Sequence, residues 1–485
     1  MRLHYRKSSF RMALMAFSCV VSLSIQACAD EQSPLTSYNA AIGESSISGI
    51  SSGAFMAVQF GTAWSSVIKG VGVVAGGPFY CAQAQAADII NGYTLPTLTA
   101  TGPCMQGPAP DVNIFTDKAD EMAASGAIDP TSGVSHQKVY VFRGYNDAVV
   151  AQSVTDAAVN FYRHYLGNAG SGNLFYQTAI GAGHSLVVLD QPSVAGLNSC
   201  PPNQSPFINQ CAYDQAGIIL QHIYGALNPR NSGQLSGTMK SFSQAAYTQP
   251  DLPSIFSMGD TGYVYVPKDC EQGAVCRVHI ALHGCKQDAG DIGTTYIEDT
   301  GYNAWADTNH IIVLYPQTVA QPILTFPSPN PEACWDWWSY VTHSEDYVTK
   351  TGRQIQAIKA MLDALTAGQK PQAALPAAPG VAPFTLIVTD TSDQAAALAW
   401  IPIAGAEAYH ISRANESGDF TQIGTVVGPS FGDAGLKPST TYRYRVTAIV
   451  GGVESAPSPV VRATTLPTPA PCDAPGSCPV SASNQ

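Results

Sequence analysis

Five residues near the start of the chain, Gly49-Ile50-Ser51-Ser52-Gly53, match the pattern G-x-S-x-G. A serine held between two glycines in this way sits on a strained strand-to-helix turn. Bulkier neighbours would block both the tight backbone and the approach of a substrate to the serine Oγ. The residues that follow, Ala54-Phe55-Met56-Ala57-Val58-Gln59-Phe60, make a proline-free helix start. Ser51 is therefore the candidate nucleophile. A second match, Gly428-Pro429-Ser430-Phe431-Gly432, follows a proline and runs into Asp433 and Gly435, so Ser430 reads as an ordinary loop serine.

The first residues look like an export signal: Arg2, Arg6, Lys7 and Arg11, an apolar run over 12–25, then Ala27-Cys28-Ala29 as a small-residue cleavage site. The run is shorter than the roughly 20 residues a membrane-spanning helix needs, so residues 1–29 are expected to be a signal peptide and the product secreted or periplasmic. Lipid attachment at Cys28 is the alternative, because Ile25-Gln26-Ala27-Cys28 resembles a lipid-attachment box with an unusual glutamine. Of the twelve cysteines, removal of the leader takes Cys19 and Cys28. The remainder is an even set, which in an exported chain argues for disulfides. Their order along the chain suggests nearest-neighbour pairs without deciding them. No C-x-x-C pair occurs and the histidines lack ligand spacing, so no metal or other cofactor is expected. Charged residues are only 12% of the chain and the net charge is -12, which makes nucleic acid a poor partner and suits a neutral substrate. A monomer is expected.

From about residue 37 to 365 short apolar runs alternate with helical stretches, the pattern of an α/β sheet protein. Strands are expected over 71–75, 138–143, 174–180, 262–266, 278–282 and 311–315, and helices over 55–67, 153–166, 212–225, 301–308 and 353–365. Several of these strands are continuous Val/Ile/Leu/Tyr runs, as when helices cover both faces of a parallel sheet. The catalytic domain is placed at 30–365. Residues 366–380 hold three prolines and no periodicity, the signature of a linker. Over 381–466 short alternating strands are divided by Gly/Pro turns, with Trp400 on an early strand and Tyr442 before a late one. That segment resembles a fibronectin type III module, an all-β sandwich, with Tyr442 at its tyrosine corner. Residues 467–485 form a Pro-rich tail carrying Cys472 and Cys478.

A serine nucleophile needs a base, and the base needs a carboxylate to hold its tautomer. The expected strand at 138–143 runs into Gly144-Tyr145-Asn146-Asp147, and that at 174–180 into Gly181-Ala182-Gly183-His184. Asp147 and His184 therefore complete a triad in the order Ser, Asp, His. Asp156 falls in a helix and Asp190 lies beyond the histidine, and His279 lies inside a strand as a core or edge residue. The oxyanion hole needs two N–H donors. One comes from Ser52, after the nucleophile. The other comes from Cys285 in His283-Gly284-Cys285-Lys286-Gln287, which follows the strand at 278–282. A loop of that kind normally precedes the nucleophile. The fold expected is thus a circularly permuted α/β-hydrolase followed by the fibronectin type III sandwich.

The His283 to Gln287 loop, the segment 301–317 and Cys334-Trp335-Asp336-Trp337-Trp338 together resemble the esterase/polyhydroxybutyrate depolymerase family, beside its extracellular short-chain members with an early serine box. The resemblance covers roughly 37–365. It implies Ser51, Asp147 and His184 as triad, Ser52 and Cys285 as oxyanion donors, and an acyl-enzyme route on poly(3-hydroxybutyrate) or its oligomers. It also implies a tryptophan of the second motif in the substrate cleft, with Trp335 the first choice and Trp337 a further one, because a neutral polyester is bound by apolar and aromatic surface. A Cys285–Cys334 disulfide would tie the oxyanion loop to this aromatic loop. Members that attack crystalline polymer usually carry a further C-terminal binding domain, and here about twenty residues follow the module; amorphous polymer or soluble oligomers are the expected substrates. The rival enzyme reading is a feruloyl or acetylxylan esterase. The rival of another class is an adhesion protein that uses the type III module.

Overall fold

The computed structural model describes residues 33–82, 89–90, 93–167, 170–191, 194–321, 330–369, 386–400, 403, 406–450 and 453–468. The expected leader, most of the linker and the Cys472/Cys478 tail lie outside these residues.

The principal elements of the first unit are β1 (Ser45–Ile50), α1 (Ser52–Ala63), β2 (Ile68–Val74), α2 (Val112–Ala124), β3 (Lys138–Phe142), α3 (Gln152–Leu166), β4 (Leu174–Gln177), α4 (Gln215–Tyr224), β5 (Thr238–Ser243), β6 (Thr261–Val266), β7 (Arg277–Leu282), α5 (Tyr302–Ala306), β8 (Ile311–Tyr315) and α6 (Arg353–Thr366). The strands make one sheet in the order β5-β6-β8-β7-β1-β2-β3-β4. From β8 to β4 neighbours are parallel, and β5 and β6 are antiparallel additions at one edge. This is an α/β-hydrolase-like mixed sheet.

Alternation along the strands divides the core between the two faces. Ile47, Val71, Val73, Val139 and Val141 pack with α1, α2, α3 and α6. Ile50, Val74, Tyr140 and Phe142 point the other way, against α4 and α5. Each such aliphatic side chain contributes roughly 1.5–3 kcal/mol on full burial. All residues of α1 are buried; it is a central helix with no solvent face. α4 starts where the Asp214 carboxylate accepts the Gly217 amide at 3.1 Å and stops at Gly225, whose φ is 78°.

Six expected strands are present with ends shifted by a few residues, and the five expected helices are present with shorter or shifted bounds. Two strands of this sheet escaped the sequence reading. β1 reads Ser-Ser-Ile-Ser-Gly-Ile, without the branched run that marks a buried strand, yet every position is buried. It accepts small residues because α1 and the flanking strands crowd it. A side chain on Gly72 of β2, for example, would meet Ser48 Cβ at 2.7 Å. β5 is a polar edge strand with one apolar residue buried, Phe242.

Among the described residues, four disulfides join cysteines that are neighbours in order along the chain: Cys81–Cys104, Cys200–Cys211, Cys270–Cys276 and Cys285–Cys334. They agree with the nearest-neighbour order. No helix among the described residues is long and apolar enough to cross a membrane.

The second unit is a fibronectin type III-like all-β region. It contains β9 (Leu386–Thr391), β10 (Ala395–Trp400), β11 (Ala406–Asn415), β12 (Thr421–Val426), β13 (Ser430–Ala434), β14 (Thr441–Val450), β15 (Val453–Glu454) and β16 (Val461–Thr464). One antiparallel sheet has the order β9-β10-β13 and the other β12-β11-β14-β15, with β16 also paired to β14. Leu398, Trp400, Tyr409, Ile411, Tyr444 and Val446 share its core. Ser430 is exposed and belongs to strand β13, opposite Ala399, rather than to a loop; the preceding proline ends a turn and leaves the serine free to pair. The Tyr442 hydroxyl accepts the Lys437 amide at 2.9 Å, the geometry of a tyrosine corner. Tyr442→Phe is expected to lower the stability of this unit by about 1 kcal/mol. Hydrogen exchange of the β14 amides in the full chain checks this, with protection expected to fall about fivefold.

Candidate active site

Ser51 stands at the carboxyl end of β1, between strand and helix, with φ 55° and ψ -123°. Non-glycine residues rarely hold such a backbone, and the strain is of order 1–3 kcal/mol. It persists here because Ser51 N–H donates to Val74 O at 2.9 Å and the α1 amides of Ala54 and Phe55 close back on Ser51 O. The flanking glycines have specific reasons. A Cβ on Gly49 would lie 2.3 Å from Gly53 O, and one on Gly53 would lie 2.3 Å from His283 O. The second contact means that the start of α1 rests directly on the backbone leading into the His283 loop.

Asp147 and His184 meet in the same manner. A Cβ on Gly144 would lie 2.1 Å from Ala182 O, so the loops after β3 and β4 touch backbone to backbone. Their amides bond across the contact, Tyr145 N to Ile180 O at 3.0 Å and Asn146 N to Ala182 O at 3.1 Å. His184 Nδ1 lies 2.9 Å from Asp147 Oδ2. With the carboxylate as acceptor, Nδ1 carries the proton and Nε2 is the ring's basic nitrogen. The other carboxylate oxygen accepts the amides of Val149 and Val150 at 2.8 and 2.9 Å. Burial alone would raise the Asp147 carboxyl, but the His184 bond and these two amides hold it below its ordinary value.

The loop after β7 is fastened at several points. Gly284 N–H donates to Gln287 Oε1 and Lys286 N–H to Glu332 O, both at 2.8 Å. The amides on either side of Cys285 are thus committed within the protein, and Cys285 is disulfide-bonded to Cys334. His283 donates from Nδ1 to Gly284 O at 2.7 Å and accepts Thr318 N–H at 3.2 Å. Burial pushes it down to about 4, so it is a neutral strut.

Ser51, His184, Cys285 and Gln287 line one cavity of about 580 Å³. Its wall is mostly apolar, with Phe55, Phe207, Met105, Trp337 and Trp338 prominent. Trp337 stacks on Phe55 with ring centres 4.1 Å apart. Of the two tryptophans expected in the cleft, Trp337 is in this wall. Trp335 is not: its side chain is fully buried, against His283, and its amide donates to Ser52 Oγ at 3.3 Å. It props the turn from behind, while Trp337, two residues on, faces the cavity. Asp336 between them is buried and accepts the Tyr340 and Val341 amides at 2.9 and 3.3 Å, closing that turn. Among the rejected candidates, His279 is a core residue bonded to Ser46 and Ser48, and Asp156 is on α3, accepting from Tyr176.

No family model matches the chain. It is 38% identical over 425 residues to a poly(3-hydroxybutyrate) depolymerase of Delftia acidovorans, covering 86% of this chain and 78% of that protein. It is 37% identical over 346 residues to a polyhydroxybutyrate depolymerase of Talaromyces funiculosus, covering 69% and 93%. The chain belongs to the poly(3-hydroxybutyrate) depolymerase family. Among solved structures, the PHB depolymerase from Penicillium funiculosum is similar with a TM-score of 0.61 at 35% identity, covering 70% of this chain and 100% of that one. A PHB depolymerase complexed with an R3HB trimer matches with the same TM-score at 34% identity.

Two residues of this depolymerase-family site escaped the sequence reading. Asn203 Oδ1 accepts the amides of His184 and Ala148 at 2.7 and 2.9 Å, and its Nδ2 donates to Asn146 O at 3.0 Å, riveting the acid loop to the histidine loop. It sits in Pro201-Pro202-Asn203-Gln204, where no pattern marks it. Gln287 was visible within the His-Gly-Cys loop but carried no role. It is buried, and besides accepting Gly284 N–H it donates to Pro206 O and Phe207 O at 2.8 and 3.1 Å. The wall contributed by Thr97, Ala100, Thr101 and Met105 was also missed, because those residues come from short helical segments without strong periodicity.

Gln287→Leu keeps the volume and removes all three bonds. It is expected to lower kcat about 10²-fold with a smaller change in KM, measured on a short aryl ester, since a loosened donor loop fails most where charge develops. Asp147→Asn is expected to lower kcat/KM about 10⁴-fold by reversing the histidine tautomer. It should also alter stability with pH. The folded carboxyl ionises more readily than the unfolded one, so its contribution is full above the ordinary value of 3.8 and is lost as pH falls through the lower folded value. Denaturant unfolding should therefore show a gap between wild type and Asp147→Asn that is constant from about pH 5 to 7 and closes in acid.

Proposed function

We propose that this chain is an exported serine esterase that hydrolyses poly(3-hydroxybutyrate) or its oligomers through an acyl-enzyme. The observation that carries this reading is a single mostly apolar cavity holding both Ser51 and His184, with His184 Nδ1 at 2.9 Å from the buried Asp147 carboxylate, in a chain related to depolymerases over most of its length. A cavity wall of this kind suits a chain of methyl groups and uncharged esters.

His184 Nε2 takes the Ser51 proton as Oγ attacks the ester carbonyl. The N–H groups of Ser52 and Cys285 receive the developing oxyanion, which a helix start and a pinned loop can do without rearranging. The imidazolium, stabilised by Asp147, returns the proton to the departing alcohol oxygen. Water activated by the same base then releases the acid from Ser51. Trp337 and Phe55 supply aromatic surface for the polyester.

The strand order supports a circular permutation. The strand and loop expected to precede a nucleophile strand, β7 and the His283 loop, lie beside β1 but follow it in sequence. The four disulfides support export, with residues 1–29 as leader. The domain reading is a catalytic unit at 30–365, a linker at 366–380 and a type III module at 381–466.

The test is turbidity loss of an amorphous poly(3-hydroxybutyrate) suspension, with products identified by mass, beside Ser51→Ala. Clearing with hydroxybutyrate products is expected, reduced about 10⁴-fold or more in the variant. Ser51-dependent cleavage of a short aryl ester without any release of hydroxybutyrate from polymer or oligomer would overturn the substrate assignment.

A further inference from the structure

The cavity wall is neutral except at one place. Among the described residues lining it, Lys286 and Glu332 are the charged pair, with His184 the only other group that can take charge. Lys286 Nζ lies 2.6 Å from Glu332 Oε2, with side chains 53% and 42% exposed. The two residues flank the Cys285–Cys334 disulfide, and Lys286 N–H also donates to Glu332 O. The lysine is therefore anchored next to the expected oxyanion donor, with its ammonium at the solvent side of the cleft.

A pair this exposed contributes only about 0–1 kcal/mol to folding. Its persistence at the mouth of an apolar cavity has more consequence for ligands than for stability. Hydrolysis of an oligoester turns a neutral ester and water into a carboxylic acid and an alcohol. A linear oligomer of a hydroxy acid with an unesterified end likewise carries one free carboxylate at neutral pH. An anion entering a mostly apolar cleft needs a partner, and the Lys286 ammonium is the nearest cation the wall offers. Glu332 competes for the same ammonium, so an incoming carboxylate exchanges with it at small cost and an acid product is not held tightly.

We propose that Lys286 is a subsite for the free carboxylate of short oligoesters, attenuated by Glu332. This rests on the esterase reading above and adds a preference between charged and uncharged ends. Removing the lysine weakens binding of carboxylate-terminated ligands, and neutralising the glutamate strengthens it. Both effects shrink at high salt, because the groups are exposed.

The test compares a 3-hydroxybutyrate trimer as free acid with its methyl ester, for wild type, Lys286→Gln and Glu332→Gln, reading the ratio of kcat/KM for acid over ester. The ratio is expected to fall about fivefold in Lys286→Gln and to rise about fivefold in Glu332→Gln, the size of an exposed ion-pair contribution. The change should lie mainly in KM, and 3-hydroxybutyrate should inhibit Glu332→Gln more strongly than wild type. Ratios within about twofold of wild type in variants that still react with a fluorophosphonate at Ser51 would overturn the subsite. If Lys286→Gln does not fold, Glu332→Gln decides alone, since the two predictions have opposite sign. A wild-type chain that cleaves neither trimer would overturn this proposal alone if it still clears polymer, and the esterase reading with it if it cleaves no ester at all.

Discussion

The backbone contact between the start of α1 and the end of β7 governs the geometry of this site. Gly53 approaches His283 O and Leu282 O so closely that any side chain there would displace one of the two segments. One consequence is that Ser51 and Cys285, separated by most of the catalytic unit in sequence, belong to a single rigid corner. The strained backbone of Ser51 is held by β2 from one side, through the Ser51–Val74 bond, and by β7 from the other. Strain can be kept in this way only where the surroundings over-determine it.

Around that corner the wall of the cavity is secured by bonds between segments far apart in the chain. Gln287 joins the His283 loop to the 206–207 backbone, and Phe207 packs edge-on to His184 with ring centres 6.0 Å apart. Gln59 of α1 donates to Asp336 O at 3.1 Å, so the helix that follows Ser51 also holds the aromatic turn. The Cys285–Cys334 bond then links that turn to the His283 loop. Oriented donors are worth most when they need not move during reaction, and the bonds here hold the proposed donors, Ser52 and Cys285, with buried amides and one disulfide.

Legibility followed chemistry more closely than burial. Ser51, Asp147 and His184 could be singled out because each lies in a glycine-bearing loop, and the structure shows why: a Cβ on Gly49, Gly53, Gly144 or Gly183 would fall 2.1 to 2.3 Å from neighbouring backbone. The sequence reading put Trp335 ahead of Trp337, whereas Trp337 lines the cavity and Trp335 is buried behind it. They stand two residues apart, and whether each faces the cavity or the core depends on the Asp336 turn, which has no periodic pattern. Strand β1 was also invisible as a strand, since packing against α1 and β2 favours small residues over the branched ones that announce a buried strand.

The residues by themselves determined the class of chemistry and the alternating α/β unit with a second all-β unit after it, and they suggested nearest-neighbour cysteine pairs that the structure then fixed. These follow from local rules: turn residues, apolar periodicity and short loop closure. Only the tertiary structure decided which tryptophans line the cleft, that Asn203 and Gln287 hold the Asp147, His184 and His283 loops, and that Lys286 and Glu332 place a charged pair on a mostly apolar wall. Such facts depend on distances between segments far apart along the chain, and packing of the whole sheet sets those distances.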